Sequence, residues 1–120
     1  MLERDLLNDF LHSHEKKRWV YGENAAIFVR RSRRLLPSGK GALCFDLANI
    51  TVRLPGTGIF TKLLANMQSL AAEHGLDAVY IENVLNKRLA EHLRKMGYAE
   101  TADGGSFFVF PPTESKHVRT

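Results

Sequence analysis

Cysteine is almost missing from this chain of 120 residues, where Cys44 stands alone. No intrachain disulfide can form, and a chain of this length can bury a sufficient core without one. No Cys/His cluster has zinc-site spacing, so no metal is expected. No apolar run approaches the ~20 residues that cross a bilayer. The opening Met1-Leu2-Glu3-Arg4-Asp5 carries acid where a secretory leader has a basic segment followed by an apolar block. No membrane association and a cytoplasmic location are therefore expected. Repeats, linkers and low-complexity tracts are missing too, and the length is that of one domain. That domain is expected over 1–110, with a disordered polar tail over 111–120.

Lys and Arg number 17 against 13 Asp and Glu, a formal net charge of +4. The excess is local: Arg30, Arg31, Arg33 and Arg34 fall together, and Lys40 follows. Such a patch suits an anionic partner, whether a phosphorylated cofactor, nucleic acid or an acidic protein surface. It equally suits a solvated hairpin edge guarded by charge against aggregation. No aromatics interleave with the arginines, as they usually do in single-strand nucleic-acid binders.

Hydrophobic periodicity sets the elements. Leu2, Leu6, Leu7, Phe10 and Leu11 recur at helical spacing and predict an amphipathic helix ending near His14. Trp19–Tyr21 and Ala25–Val29 predict a hairpin across Gly22-Glu23-Asn24. A second turn, Pro37 to Gly41, leads into a long strand, Ala42 to Arg53, apolar on both parities and so expected to be covered on both faces. Ile59, Phe60, Leu63, Leu64, Met67, Leu70 and Ala71 form a helical stripe closed by Gly75. A strand over Ala78–Glu82 follows, then a helix that Asn86 can cap and Gly97 ends. A last strand, Ser106–Phe110, is entered through Asp103-Gly104-Gly105. The order is helix, three strands, helix, strand, helix, strand, a mixed α/β fold. The crossover unit makes its two strands parallel, and the first three strands are expected to be antiparallel.

The chemically informative segment is Arg53-Leu54-Pro55-Gly56-Thr57-Gly58, where a central strand ends and a helix begins. A helix N-terminus holds unpartnered N–H groups with partial positive charge, which suit phosphate. Glycines let a phosphate approach the backbone. Gly56, Thr57, Gly58, Ile59, Phe60 and Thr61 are the candidate donors, with the Thr61 hydroxyl in addition. A plain strand-to-helix turn reads the same way.

The segment resembles the acetyl-coenzyme A signature of the GCN5-related N-acetyltransferase (GNAT) family, Arg/Gln-x-x-Gly-x-Gly/Ala, at Arg53, Gly56 and Gly58. The paired leucines Leu63-Leu64, Asn83 near a strand end, Asn86 opening a helix and the helix ending in Met96-Gly97-Tyr98 extend the resemblance over Ala42–Phe110. The resemblance implies a mixed central sheet and acetyl-coenzyme A as cofactor. It also implies direct attack by an amine, whether a protein lysine, an N-terminus or a small molecule. The strands ending at Arg53 and Glu82 would splay around the pantetheine arm. Backbone groups near Asn49, Ile50 and Val52 would pair with that arm and polarise the thioester. Asn83 or Asn86 would bond the arm, although a turn and an N-cap explain these two residues as well.

Two features depart from the family. One helix replaces the usual strand and two helices before the hairpin, so the acceptor site is expected to be open or completed by a partner subunit. The usual general-acid tyrosine position is Leu93. His92 is adjacent but turned away on the helix, and a surface histidine is the competing reading; Tyr80 and Tyr98 are substitutes. Glu82 and Asp46 are the candidate general bases, with an ion pair to an arginine as the alternative for Asp46. Glu23 is a third choice. Cys44 reads as a small buried apolar residue. A non-catalytic binding protein of the same fold, with a protein or nucleic-acid partner, is the alternative function. The open sheet edge makes a homodimer an expectation.

Overall fold

A computed structural model describes residues 2–37, 39, 41–53, 56, 58–102 and 104–111. Along it run α1 (Glu3–His12), β1 (Lys17–Tyr21), β2 (Ala25–Leu35), β3 (Gly41–Val52), α2 (Ile59–Glu73), β4 (Ala78–Ile81), α3 (Lys87–Lys95), β5 (Ala99–Glu100) and β6 (Phe107–Val109). The strands form one mixed sheet in the order β1-β2-β3-β4-β6-β5. β3 and β4 are parallel, joined by the α2 crossover, and the other neighbours are antiparallel.

Alternation along the strands divides the core. Ile27, Val29, Phe45, Leu47, Val79, Ile81 and Phe107 bury one face against Leu7 and Phe10 of α1, Leu64, Met67 and Leu70 of α2, and Leu93 of α3. The opposite parity, Ala42, Cys44, Ala78, Tyr80 and Phe108, forms a smaller cluster with Leu36 and no helix residue. Here β3 differs from expectation. Its second face is closed by side chains of the sheet itself, so apolar residues of both parities arose without a second helical layer.

α1 stops at His12, two residues before the expected end, because its terminal carbonyls are claimed from outside. The Arg31 guanidinium donates from Nη2 to the carbonyls of Phe10, Leu11 and Ser13 at 2.8, 2.7 and 2.8 Å. It also lies 5.2 Å from the centre of the Phe10 ring. A cation here complements the negative end of the helix dipole. The other end of α1 is fastened by Glu3, whose Oε2 accepts from the Asn24 and Ala25 amides at 2.6 and 2.9 Å. One short helix is thus tied to both ends of the β1–β2 hairpin.

β2 runs to Leu35 rather than stopping at Val29, so the arginines lie on a strand and their side chains alternate between faces. β5 was not foreseen; two residues give too little periodicity to read. Among the described residues no helix is long and apolar enough to cross a membrane. The expectations placed on Lys40, Thr57, Asp103 and the tail from Pro112 onward lie outside the described residues.

Desolvation raises the Glu3 pKa, but hydrogen bonds from Asn24 and Ala25 outweigh it and leave the group below its ordinary 4.5. A depressed carboxylate contributes stability above its unfolded pKa and loses it as pH falls through the folded one. Replacing Glu3 by Gln should therefore cost about 1–2 kcal/mol at pH 7. It should also flatten the loss of stability between about pH 5 and 3, as read by denaturant melts across that range.

Candidate functional site

β3 pairs with β2 through Val52, but its pairing with β4 ends at Leu47 and Ile81. The last link is the Glu82 amide donating to the Leu47 carbonyl at 3.1 Å. Beyond it the edge of Ala48–Val52 facing β4 has no strand partner among the described residues. The register of β2 on β3 shifts here as well: Phe28 faces Asn49 and Val29 faces Leu47, leaving Ala48 as the extra residue. Such a bulge bends its strand and interrupts the ladder. The chain after β4 turns away through Asn83, which has φ 53°, a left-handed conformation that Asn tolerates better than most residues.

The result is a cleft in two connected halves. The first, about 390 Å³, is lined by Asn49, Ile50, Phe60, Glu82, Asn83 and Asn86, among others. The second, about 610 Å³, is lined by Val52, Gly56, Gly58, Ile59, Thr61, Arg88 and His92, among others. Ile50, Phe60, Asn86 and Leu89 belong to both. The expected binding residues that the structure describes are thus gathered along one channel, apart from Arg53. Its Nη1 donates instead to the Glu23 carbonyl at 3.2 Å, bracing the β1–β2 turn.

Gly56 and Gly58 both have positive φ, 86° and 79°. The second is the N-cap of α2 and makes no side-chain cap. A Cβ built on either glycine meets nothing within 4 Å. The glycines therefore serve backbone conformation and leave open space in front of the helix. No acidic side chain occupies the first turn of α2, so the partial positive charge of its N–H groups is not neutralised there. These features fit a phosphate-bearing group.

Asn86 Oδ1 accepts from the Arg88 and Leu89 amides at 2.9 and 3.1 Å. That is an N-cap, and it occupies the oxygen that a ligand would otherwise meet. His92 lies in the second half of the cleft, its Nε2 2.9 Å from Thr61 Oγ1. It does not line the first half, where the candidate base Glu82 lies.

The candidate bases meet the arginines. Asp46 is fully buried. Its Oδ1 accepts from Ser32 Oγ at 2.9 Å, and its Oδ2 from Arg34 and Arg30 at 2.8 and 3.4 Å. The ion pair is the reading the geometry favours for Asp46, which lines neither half of the cleft. Glu82 shares both arginines through Oε2: Arg30 bonds it closely and Arg34 at 3.2 Å. Its Oε1 makes no hydrogen bond among the described residues. The Arg34 guanidinium also sits 3.8 Å from the centre of the Tyr80 ring. The expected basic patch is therefore not one surface. Arg30 and Arg34 neutralise Asp46 and Glu82, Arg31 holds α1, and Arg33 alone of the four is exposed.

Neither substitute acid lines the cleft, and Tyr80 borders a different cavity with Arg34 and Leu36. Tyr98 is buried, with its OH accepting from Gln68 Nε2 at 2.9 Å, and burial pushes its pKa up to about 12. Leu93 is wholly buried. Arg88 and the Ala48 bulge escaped the sequence reading. The four-residue spacing of Arg88 and His92 on one helix face was the available signal for the first, and nothing in the sequence marks the second.

The sequence matches no family model and no curated protein sequence. Its structure resembles a mutant of the AtaT toxin bound to the C-terminus of the antitoxin AtaR and to acetyl-coenzyme A. The TM-score is 0.57 and the identity 18%, over 80% of this chain and 62% of that one. The KacTA–DNA complex gives a TM-score of 0.60 at 18% identity, over 99% of this chain and 86% of that one. The AtaTR complex with acetyl-coenzyme A gives 0.53 at 20%, over 81% and 66%. The chain thus spans less than two thirds of the AtaT chain in its first match. At this identity the likeness shows the fold, which is the GNAT fold expected from the sequence.

Burial, and then the Asp46 charge, raise the Cys44 thiol to about 11. In the native chain at pH 8 it should react with thiol reagents about a hundred-fold more slowly than in denaturant, as followed by thiol titration. Replacing Arg34 by Ala would leave Asp46 buried with a weakened partner. Chemical denaturation should then register a loss on the order of 3–5 kcal/mol.

Proposed function

We propose that this chain binds acetyl-coenzyme A along the cleft and transfers its acetyl group to an amine. The observation carrying this reading is the continuity of the cleft, from the unpaired edge of β3 to the glycine turn before α2. The cofactor, when bound, supplies an acetyl thioester. The N–H groups of Gly56, Gly58, Ile59, Phe60 and Thr61 hold its pyrophosphate. The β3 edge at Asn49, Ile50 and Val52 pairs with the pantetheine arm and offers an N–H to the carbonyl that becomes negative in the transition state. Asn83 flanks the arm, and Asn86 contributes through its amide nitrogen.

Glu82 is the base of choice. Its Oε2 is anchored by Arg30 and Arg34, which leaves Oε1 to accept a proton from the amine. Asp46 acts behind it, keeping the two arginines in place. His92 is displaced from the acid role, and solvent protonates the leaving thiolate. The acceptor is a protein lysine, an N-terminus or a small-molecule amine, and a second copy of the chain is a candidate to complete its site.

The alternative is a binding protein of the same fold without catalysis. Buried Leu93, at the position of the acid, favours it. Partnership with an anion through Arg30, Arg31 and Arg34 draws little support, since their charges are used internally.

Saturating acetyl-coenzyme A at a hundred times its Kd should stabilise the native chain by about 2.7 kcal/mol, seen as a rise in Tm. Gly58→Glu should abolish that rise relative to its own unliganded Tm, because it sets a carboxylate in the phosphate position. Free thiol released with an amine library separates the enzyme from the binding protein. No Tm rise in the wild type would sink the cofactor reading.

A further inference from the structure

The pyrophosphate of such a cofactor carries two negative charges. A helix N-terminus supplies only about half a positive charge. Among the described residues lining the phosphate half of the cleft, the turn and the start of α2 contribute no cationic side chain. Lys62, next to Thr61 in sequence, does not line this half; it lines an adjoining cavity with Glu3 and Asn24, on the other side of Gly58 and Ile59, which border both. The cationic or titratable side chains of this half are Arg88 and His92, both from α3.

We propose that Arg88 and His92 form the second wall of a two-sided clamp, holding the cofactor's pyrophosphate against the glycine turn and the first turn of α2. Four residues apart, they share one face of α3. His92 Nε2 lies 2.9 Å from Thr61 Oγ1. A hydroxyl has one proton to donate and lone pairs to accept with. Thr61 can therefore accept from the imidazole while donating to a phosphate oxygen. Both α3 side chains are exposed, and among the described residues neither is paired with a carboxylate. Arg4, Arg18, Arg30, Arg34 and Arg94 all are. Arg88 is thus a guanidinium at the cleft with its charge uncommitted, in a protein that neutralises most of its other arginines. The Asn86 cap fixes the first turn of α3, which sets where Arg88 starts from.

The proposal rests on the cofactor reading above, and calorimetry with three probes tests the two separately. Coenzyme A, 3′-dephospho-coenzyme A and pantetheine are titrated into the wild type, Arg88→Ala and His92→Ala, with unliganded Tm values confirming that the variants fold. The expected result is a weakening of about 5–10-fold per variant, equal for both nucleotide probes and missing for pantetheine. A loss confined to coenzyme A would move the contact to the 3′-phosphate and overturn the proposal. Equal losses on pantetheine would reduce the pair to a structural role and overturn it too. Variants that bind all three probes like the wild type would remove the clamp and leave the cofactor reading intact. A wild type that binds neither nucleotide probe would end both.

Discussion

Backbone donors and acceptors within a sheet need partners, and a strand interrupted on one side must hand its polar edge to something else. β3 has twelve residues and β4 four, so β3 continues for five residues past its last pairing with β4 at Leu47. From Ala48 onward its edge opens into the cleft instead of a ladder. The bulge at Ala48 and the left-handed turn at Asn83 belong to the same event: one bends β3 and the other takes the chain away from β4. The glycine turn then lies at the far end of the opened edge, because β3 runs to it directly. An extended ligand lying along the gap would meet backbone hydrogen-bonding groups first and helix N–H groups last.

A network of charges sits where the strands part. Arg30 and Arg34 on β2 reach across β3 to Glu82 at the end of β4, with Asp46 on β3 beneath them. A carboxylate as buried as Asp46 is costly unless paired, and here it has two guanidinium donors and a hydroxyl. The network ties three strands together on the face without helices, at the height where β3 and β4 separate. It also explains why the arginines cluster in sequence. Positions 30 and 34 serve that network, while Arg31, of opposite parity, terminates α1 on the other face.

The sequence made the element order, the parallel crossover and the glycine turn legible, because each has a local signature. Ile59 to Ala71 repeats at helical spacing, Gly56 and Gly58 sit at a strand-to-helix junction, and Asn86 precedes a helix with a free cap position. It did not disclose what depends on contacts distant in the chain. The arginine run read as a surface patch since Asp46 and Glu82 are remote from it in sequence. Asp46 left two readings open for the same reason. His92 entered through its neighbour Leu93, and only the packing of α3 against the start of α2 reveals that it faces Thr61. Arg53, read as part of a phosphate motif, turned out to brace the hairpin, since its strand-end position brings it beside the Glu23 carbonyl.

Under the proposed function, the two ends of the cleft divide the chemistry. At the phosphate end the task is to hold charge, and backbone dipoles and side chains that stay in place are suited to it. At the Glu82 end the proposed task is to accept a proton, which needs one oxygen held and the other available. A carboxylate with both oxygens committed, like Asp46, cannot meet the second condition, while one without anchors would not stay aimed at an acceptor. Glu82 satisfies both because the arginines reach it from one side only. The absence of an acid at Leu93 is compatible with this division. In the proposed reaction a thiolate leaving from an open cleft would meet water, whereas the amine's proton would have to be taken within the site before the new bond is secure.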